Sequence, residues 1–152
     1  AEPGQRVQDN VPAARGENIS TIAAVALDGV RAAMSVAGAV DGDVYLTFTK
    51  RVLAPSLHAG EIVFMDNVPT HKMAAREAEI TAVGARVEFL PPYSPDLSPI
   101  ENLFSKIKAI LRAIGARTVR QLMAALKKAF AAITLDDILG WFSHCGYYIS
   151  PK

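Results

Sequence analysis

LPPYSPDLSPIENLFSKIKAILRAIG, residues 90–115, joins two kinds of chain whose patterns do not mix. Its first part carries Pro91, Pro92, Pro95 and Pro99, four prolines in nine positions, so it can be neither helix interior nor central strand. It is a stiff connection. The second part repeats apolar side chains at Ile100, Leu103, Phe104, Ile107, Ile110, Leu111 and Ile114, the stripe of a helix with one buried face. That helix is expected from Pro99 to about Ile114, closed by Gly115. The stiffness of the connection therefore fixes where Glu101, in the first helical turn, is delivered. Upstream, the short apolar run Ile62-Val63-Phe64-Met65 reads as a buried strand that ends at Asp66.

Working outward, Ile19 to Leu27 and Val30 to Val36 are apolar runs separated by Asp28-Gly29, the signal of a β-hairpin. Asp43 to Ala54 places Tyr45, Phe48 and Val52 at helical spacing, and Pro55 is expected to end that helix. A second helix is expected from an N-cap at Thr70 through Met73 and Ile80 to Gly84, followed by a strand from Arg86 to Leu90. Two further helices carry cap signals, Thr118 with Gln121 and Thr134 with Asp137. Residues 1–18 show no periodicity and are expected to be irregular, and the opening Ala suggests a piece of a longer chain. The order hairpin, helix, strand, helix, strand, helices predicts one α/β domain over residues 1–152, with a mixed sheet flanked by helices.

Composition narrows the function. No run of about 18 apolar residues is present, and the N-terminus lacks a secretory apolar stretch, so a cytoplasmic protein without a membrane partner is expected. Cys145 is the single cysteine, and His58, His71 and His144 have no metal-site spacing. From Asn102 to Leu135 there are seven basic residues and no acidic one. Such a block suits a polyanion, although solvated helix faces have the same composition.

Asp66 and Glu101 come from a strand end and a helix start, and such carboxylates are hard oxygen ligands of the kind that hold Mg²⁺ at phosphoryl-transfer centres. Each also has a structural reading. Ser98-Pro99-Ile100-Glu101 has the form of a capping box, and Asp66 before Asn67 and Pro69 could be a turn residue. Against this, offsets of 4, 7 and 11 residues keep Glu101, Ser105, Lys108 and Arg112 within about 40° on one helix face. That face could lie along a phosphate backbone. If the metal site forms, the two carboxylates should lie within about 8 Å of each other. His71 could orient a phosphate or a metal-bound water, or be a solvated residue at a helix start. Asp96 and Tyr93 read as turn and packing residues, and no third ligand is evident.

MDNVPTHK (residues 65–72) followed by FLPPYSPDLSPIENLFSKIK (residues 89–108) resembles the catalytic core of the DDE superfamily endonucleases, in particular insertion-sequence transposases of the mariner-like branch. In that family the second and third carboxylates are a strand-end Asp and a helix-opening Glu with 34 residues between them, and here 101 − 66 − 1 gives 34. The resemblance implies a ribonuclease H-like fold, N-terminally truncated, and Mg²⁺, or Mn²⁺ as substitute, with two ions in the complete site. It implies cut-and-paste DNA transposition, with Asp66 and Glu101 as catalytic metal ligands. DNA, both transposon ends and target, would be the partner, with a homodimer as an option. Lys106, Lys108, Arg112 and, more weakly, His71 would face the DNA. The first family Asp lies upstream of a stretch resembling AEPGQRV, so this chain alone is expected to be inactive. The alternatives are a non-catalytic DNA-binding or dimerisation remnant, or another ribonuclease H-like nuclease or integrase.

Overall fold

The computed structural model describes residues 3–12, 18–65, 72–91 and 98–147. Five strands, β1 (Pro3–Pro12), β2 (Asn18–Ala26), β3 (Gly29–Ala37), β4 (Ile62–Met65) and β5 (Arg86–Phe89), form one sheet in the order β3-β2-β1-β4-β5. β2 runs antiparallel to both of its neighbours, β1 and β3, while β4 and β5 run parallel to β1. The hairpin forms, but its two-residue turn is Leu27-Asp28, one position earlier than the Asp28-Gly29 signal, with Val25 paired to Val30 and Ala26 to Gly29.

β1 departs from the irregular segment expected over residues 1–18. It fills the centre of the sheet, pairing with β2 from Gln5–Val25 to Pro12–Asn18 and with β4 from Pro3–Ile62 to Arg6–Met65. A slot between two strands supplies backbone partners whatever the side-chain pattern, so tertiary context overrides weak strand propensity here.

Helices cover both faces, which explains why β2 is apolar without alternating polar positions. Its alternation survives as a choice of core. Ile19, Ala23 and Val25 pack with α3 (Pro99–Ile114), α4 (Val119–Ala131) and α5 (Leu135–His144), whose inward residues include Ile100, Phe104, Leu122, Leu126, Ile138 and Phe142. Ile22 and Ala24 point the other way, into a cluster with Phe48 of α1 (Gly42–Phe48), Ile80 of α2 (Met73–Ala82), and Val63 and Met65 of β4.

The expected helix over 43–54 is shorter and then changes winding. After α1 the chain takes a π-helical turn over Thr49–Leu53 and a 3₁₀ turn over Ala54–Ser56, so Pro55 does not end the helical path. The wide turn keeps Phe48, Thr49 and Leu53 all buried. α2 starts at Met73, with Lys72 in the capping position and no side-chain cap bond; Thr70, the expected cap, lies outside the described residues. Gly84, at φ +86°, closes this unit where a Cβ would stand 3.0 Å from the Ala59 Cβ. Gly115, at φ 68°, ends α3 in the left-handed conformation as the sequence required.

A charged cluster ties the hairpin turn to the entry of β4. Arg31 donates to both oxygens of Glu61 at 2.8 and 2.6 Å, to Asp28 at 2.8 and 3.1 Å, and to the Ser56 carbonyl at 3.1 Å. Glu61 also accepts from the His58 backbone N–H at 2.6 Å. The guanidinium holds both carboxyls below their usual range, and the carboxylates raise the arginine further above its own.

Candidate metal centre and nucleic-acid face

The carboxyl end of β4 is well placed for a site because two parallel strands finish there together. Leu90, just past β5, donates its N–H to the Met65 carbonyl at 2.9 Å. Crevices beyond such strand ends gather ligands in α/β sheets. β4 itself sorts its residues by face: Val63 and Met65 are buried in the α1–α2 core. Phe64 instead meets Tyr147 edge-on at 6.0 Å, and Tyr147 meets Phe142 of the α3–α5 core at 5.4 Å.

Asp66 follows Met65 directly in sequence, and Asp66, His71, Tyr93 and Asp96 all lie outside the described residues. The expected Asp66–Glu101 separation therefore concerns a residue beyond them. Among the described residues no three of His, Cys, Asp and Glu gather as a metal site. β1 carries an acidic residue that sequence reading did not weigh. Asp9, in register with Thr21, lies three residues past the Arg6–Met65 pair, toward the same end of the sheet. The irregular reading of residues 1–18 hid it.

Glu101 stands exposed in the first turn of α3. The capping box that would have given it a helix-start duty is not formed, because Ser98 occupies the cap without a side-chain cap bond. Ser98 itself is buried, 3% exposed. The same signal works elsewhere: Thr118 accepts from the Gln121 N–H, and Thr134 with Asp137 makes a full capping box.

Along α3 the predicted polar face is real. Glu101, Ser105 and Arg112 are exposed and Lys108 is half-buried, while Ile100, Leu103, Phe104, Ile107 and Leu111 are buried. Lys106 is off this face and already engaged, its Nζ 2.5 Å from the Asp137 carboxylate, which also accepts from the Thr134 N–H at 3.0 Å. Lys106 and the Thr134 hydroxyl and backbone hold the Asp137 carboxyl low, the lysine contributing most. This pair pins α3 to α5.

One polar group is out of balance. Arg76, on the inner face of α2 and 1% exposed, stacks over the Tyr45 ring at 4.6 Å and donates weakly to the Thr49 hydroxyl at 3.4 Å. Its Nη2 has no hydrogen-bond partner among the described residues.

The sequence model of the family described as DDE superfamily endonuclease matches residues 1–123. No curated protein matches the chain. Among solved structures, the Mos1 transposase catalytic domain with raltegravir and Mg is 18% identical, with a TM-score of 0.75 over 97% of this chain and 85% of that one. The Mos1 strand transfer complex gives 18% identity and a TM-score of 0.64 over 98% of this chain and 55% of that one. A chain of the simian T-cell lymphotropic virus intasome complex gives 15% identity and a TM-score of 0.61, over 82% and 46% of the respective chains. At such identities the likeness is one of fold, and that fold is ribonuclease H-like. No helix among the described residues is long and apolar enough to cross a membrane.

Proposed function

This chain belongs to the DDE superfamily of endonucleases, and on that premise we propose that it is catalytic-domain sequence of a mariner-like insertion-sequence transposase. Its reaction would be metal-dependent DNA strand cleavage and strand transfer in cut-and-paste transposition, on transposon ends and target DNA. The carrying observation is on α3, where Glu101 stands exposed in the first turn and Ser105, Lys108 and Arg112 continue its polar face. The carboxyl ends of the parallel strands β4 and β5 finish together, the kind of crevice in which ligands of α/β sheets gather.

Asp66 and Glu101 fit Mg²⁺ or Mn²⁺ by donor chemistry, since both are hard carboxylate ligands. Bound there, the metal would supply a Lewis acid that activates water, and then a DNA 3′-hydroxyl, for in-line attack on a phosphodiester. The chain's own residues do the rest. Lys108 and Arg112, on the Glu101 face, neutralise phosphates and hold the duplex lengthwise along α3. Two ions need a third carboxylate, which the resemblance puts on an upstream strand, so a site with Asp66 and Glu101 alone should hold one ion weakly and cleave little.

The test combines Mn²⁺ binding with cleavage of a duplex, in a protein that also carries the upstream strand. Asp66→Ala and Glu101→Ala should each weaken Mn²⁺ and abolish cleavage, beyond the about 10–100-fold expected from losing an outer-shell partner. Cleavage and Mn²⁺ affinity that survive both substitutions would leave a DNA-binding remnant as the better description.

A further inference from the structure

At the far end of α3 from Glu101, the turn into α4 borders an open surface hollow of about 420 Å³. Its apolar lining is Ile114 of α3, Ala116 of the turn, and Ala124 and Ala125 of α4. Three polar side chains line it, those of Arg117, Gln121 and Lys128. All three offer donors. The Gln121 carboxamide oxygen is already taken by the Arg117 backbone N–H at 2.8 Å, which leaves its NH₂ group for a ligand. No acidic residue occurs from Asn102 to Leu135, so no carboxylate of this segment neutralises the two cations. A hollow with cationic and amide donors, and no acidic side chain in its lining, is complementary to an anion.

We infer that this hollow is a phosphate seat, occupied by the backbone of the duplex that α3 holds; the inference rests on the DNA-binding reading above. Glu101 and Gly115 are 14 residues apart on one helix, about 21 Å at 1.5 Å per residue. At 3.4 Å per base step that is about six base pairs, so the seat engages the duplex about six base pairs from the bond cut beside Glu101. Lys108 and Arg112 fall between the two points. The seat therefore measures duplex length: a short fragment held at Glu101 ends before reaching it.

The experiment compares the salt dependence of binding to random duplexes of about 6 and about 20 base pairs, where each lost phosphate contact lowers the log–log slope by about 0.9. Arg117→Ala with Lys128→Ala should flatten the slope by one to two contacts on the long duplex and leave the short one unchanged. Lys108→Ala with Arg112→Ala should flatten both. If the second pair acts and the first does not, the seat is refuted while DNA binding along α3 stands; if neither acts, the DNA-binding reading itself fails. Equal flattening of both lengths by the first pair would refute the placement. Inorganic phosphate is the remaining probe, followed through the Gln121 side-chain amide resonance. Phosphate that saturates this signal without being displaced by the long duplex would identify a free-anion site and overturn the inference.

Discussion

At the scale of single residues, two arginines with different surroundings set different expectations. Arg31 and Glu61 are nearly buried, at 12% and 11% side-chain exposure, and share a bidentate contact that closes a 30-residue separation. Because the Glu61 and Asp28 carboxyls are lowered in the fold, their stabilisation is fully present above their unfolded values and is lost as the pH falls through the folded ones. Arg31, raised above an already high value, stays charged throughout that range. Glu61→Gln should therefore cost about 2 kcal/mol at neutral pH, and the gap from the parent protein should shrink as the pH drops below about 4. Urea unfolding across that range would check it, and parallel curves at all pH values would contradict it. Arg76 is the opposite case, a buried cation with one nitrogen that has no hydrogen-bond partner among the described residues. Its stacking on Tyr45 contributes about 0.5–2 kcal/mol, against about 1–3 kcal/mol or more for the unsatisfied charged donor. Arg76→Met should then be neutral or stabilising by about 1 kcal/mol. A clear loss of stability by urea unfolding would reveal an anionic partner for Arg76 in the native protein.

At the scale of elements, local signals succeeded where the structure left their side chains in solvent. Thr134 and Asp137 form the predicted box, and Asp137 also reaches Lys106, so one residue starts α5 and docks it on α3. Thr134→Ala should cost about 1 kcal/mol in thermal or urea unfolding. The effect should be distinct from that of Lys106→Ala, which breaks the docking and leaves the cap intact. The same four-residue signal at Ser98 starts α3 without a side-chain cap bond from the buried serine. α3 itself was legible to the residue, since a proline start, a glycine end and an unbroken apolar stripe all agree. The π turn after α1 was not, because nothing in Thr49–Leu53 marks a wider winding; the need to bury Phe48, Thr49 and Leu53 together accounts for it. Lys106, expected from sequence to face DNA, pairs with Asp137, a partner 31 residues away that no periodicity could reveal.

At the scale of the whole molecule, one sheet separates two cores, and the alternation of β2 and β4 allots side chains to them. The sequence by itself determined the hairpin, β4, β5, α3, α4 and α5, the position of Glu101 in its helix, and the family. Those depend on short-range causes: turn residues, apolar period, caps and a proline-stiffened connection. The tertiary structure decided what depends on distant partners. It placed residues 3–12 at the centre of the sheet, because β2 and β4 offer backbone partners to a segment with little strand pattern of its own. It assigned Phe64 and Met65 to opposite cores, paired Arg31 with Glu61, and left a hollow at the α3–α4 turn. None of these is encoded locally, because each depends on which surfaces meet after the elements have formed.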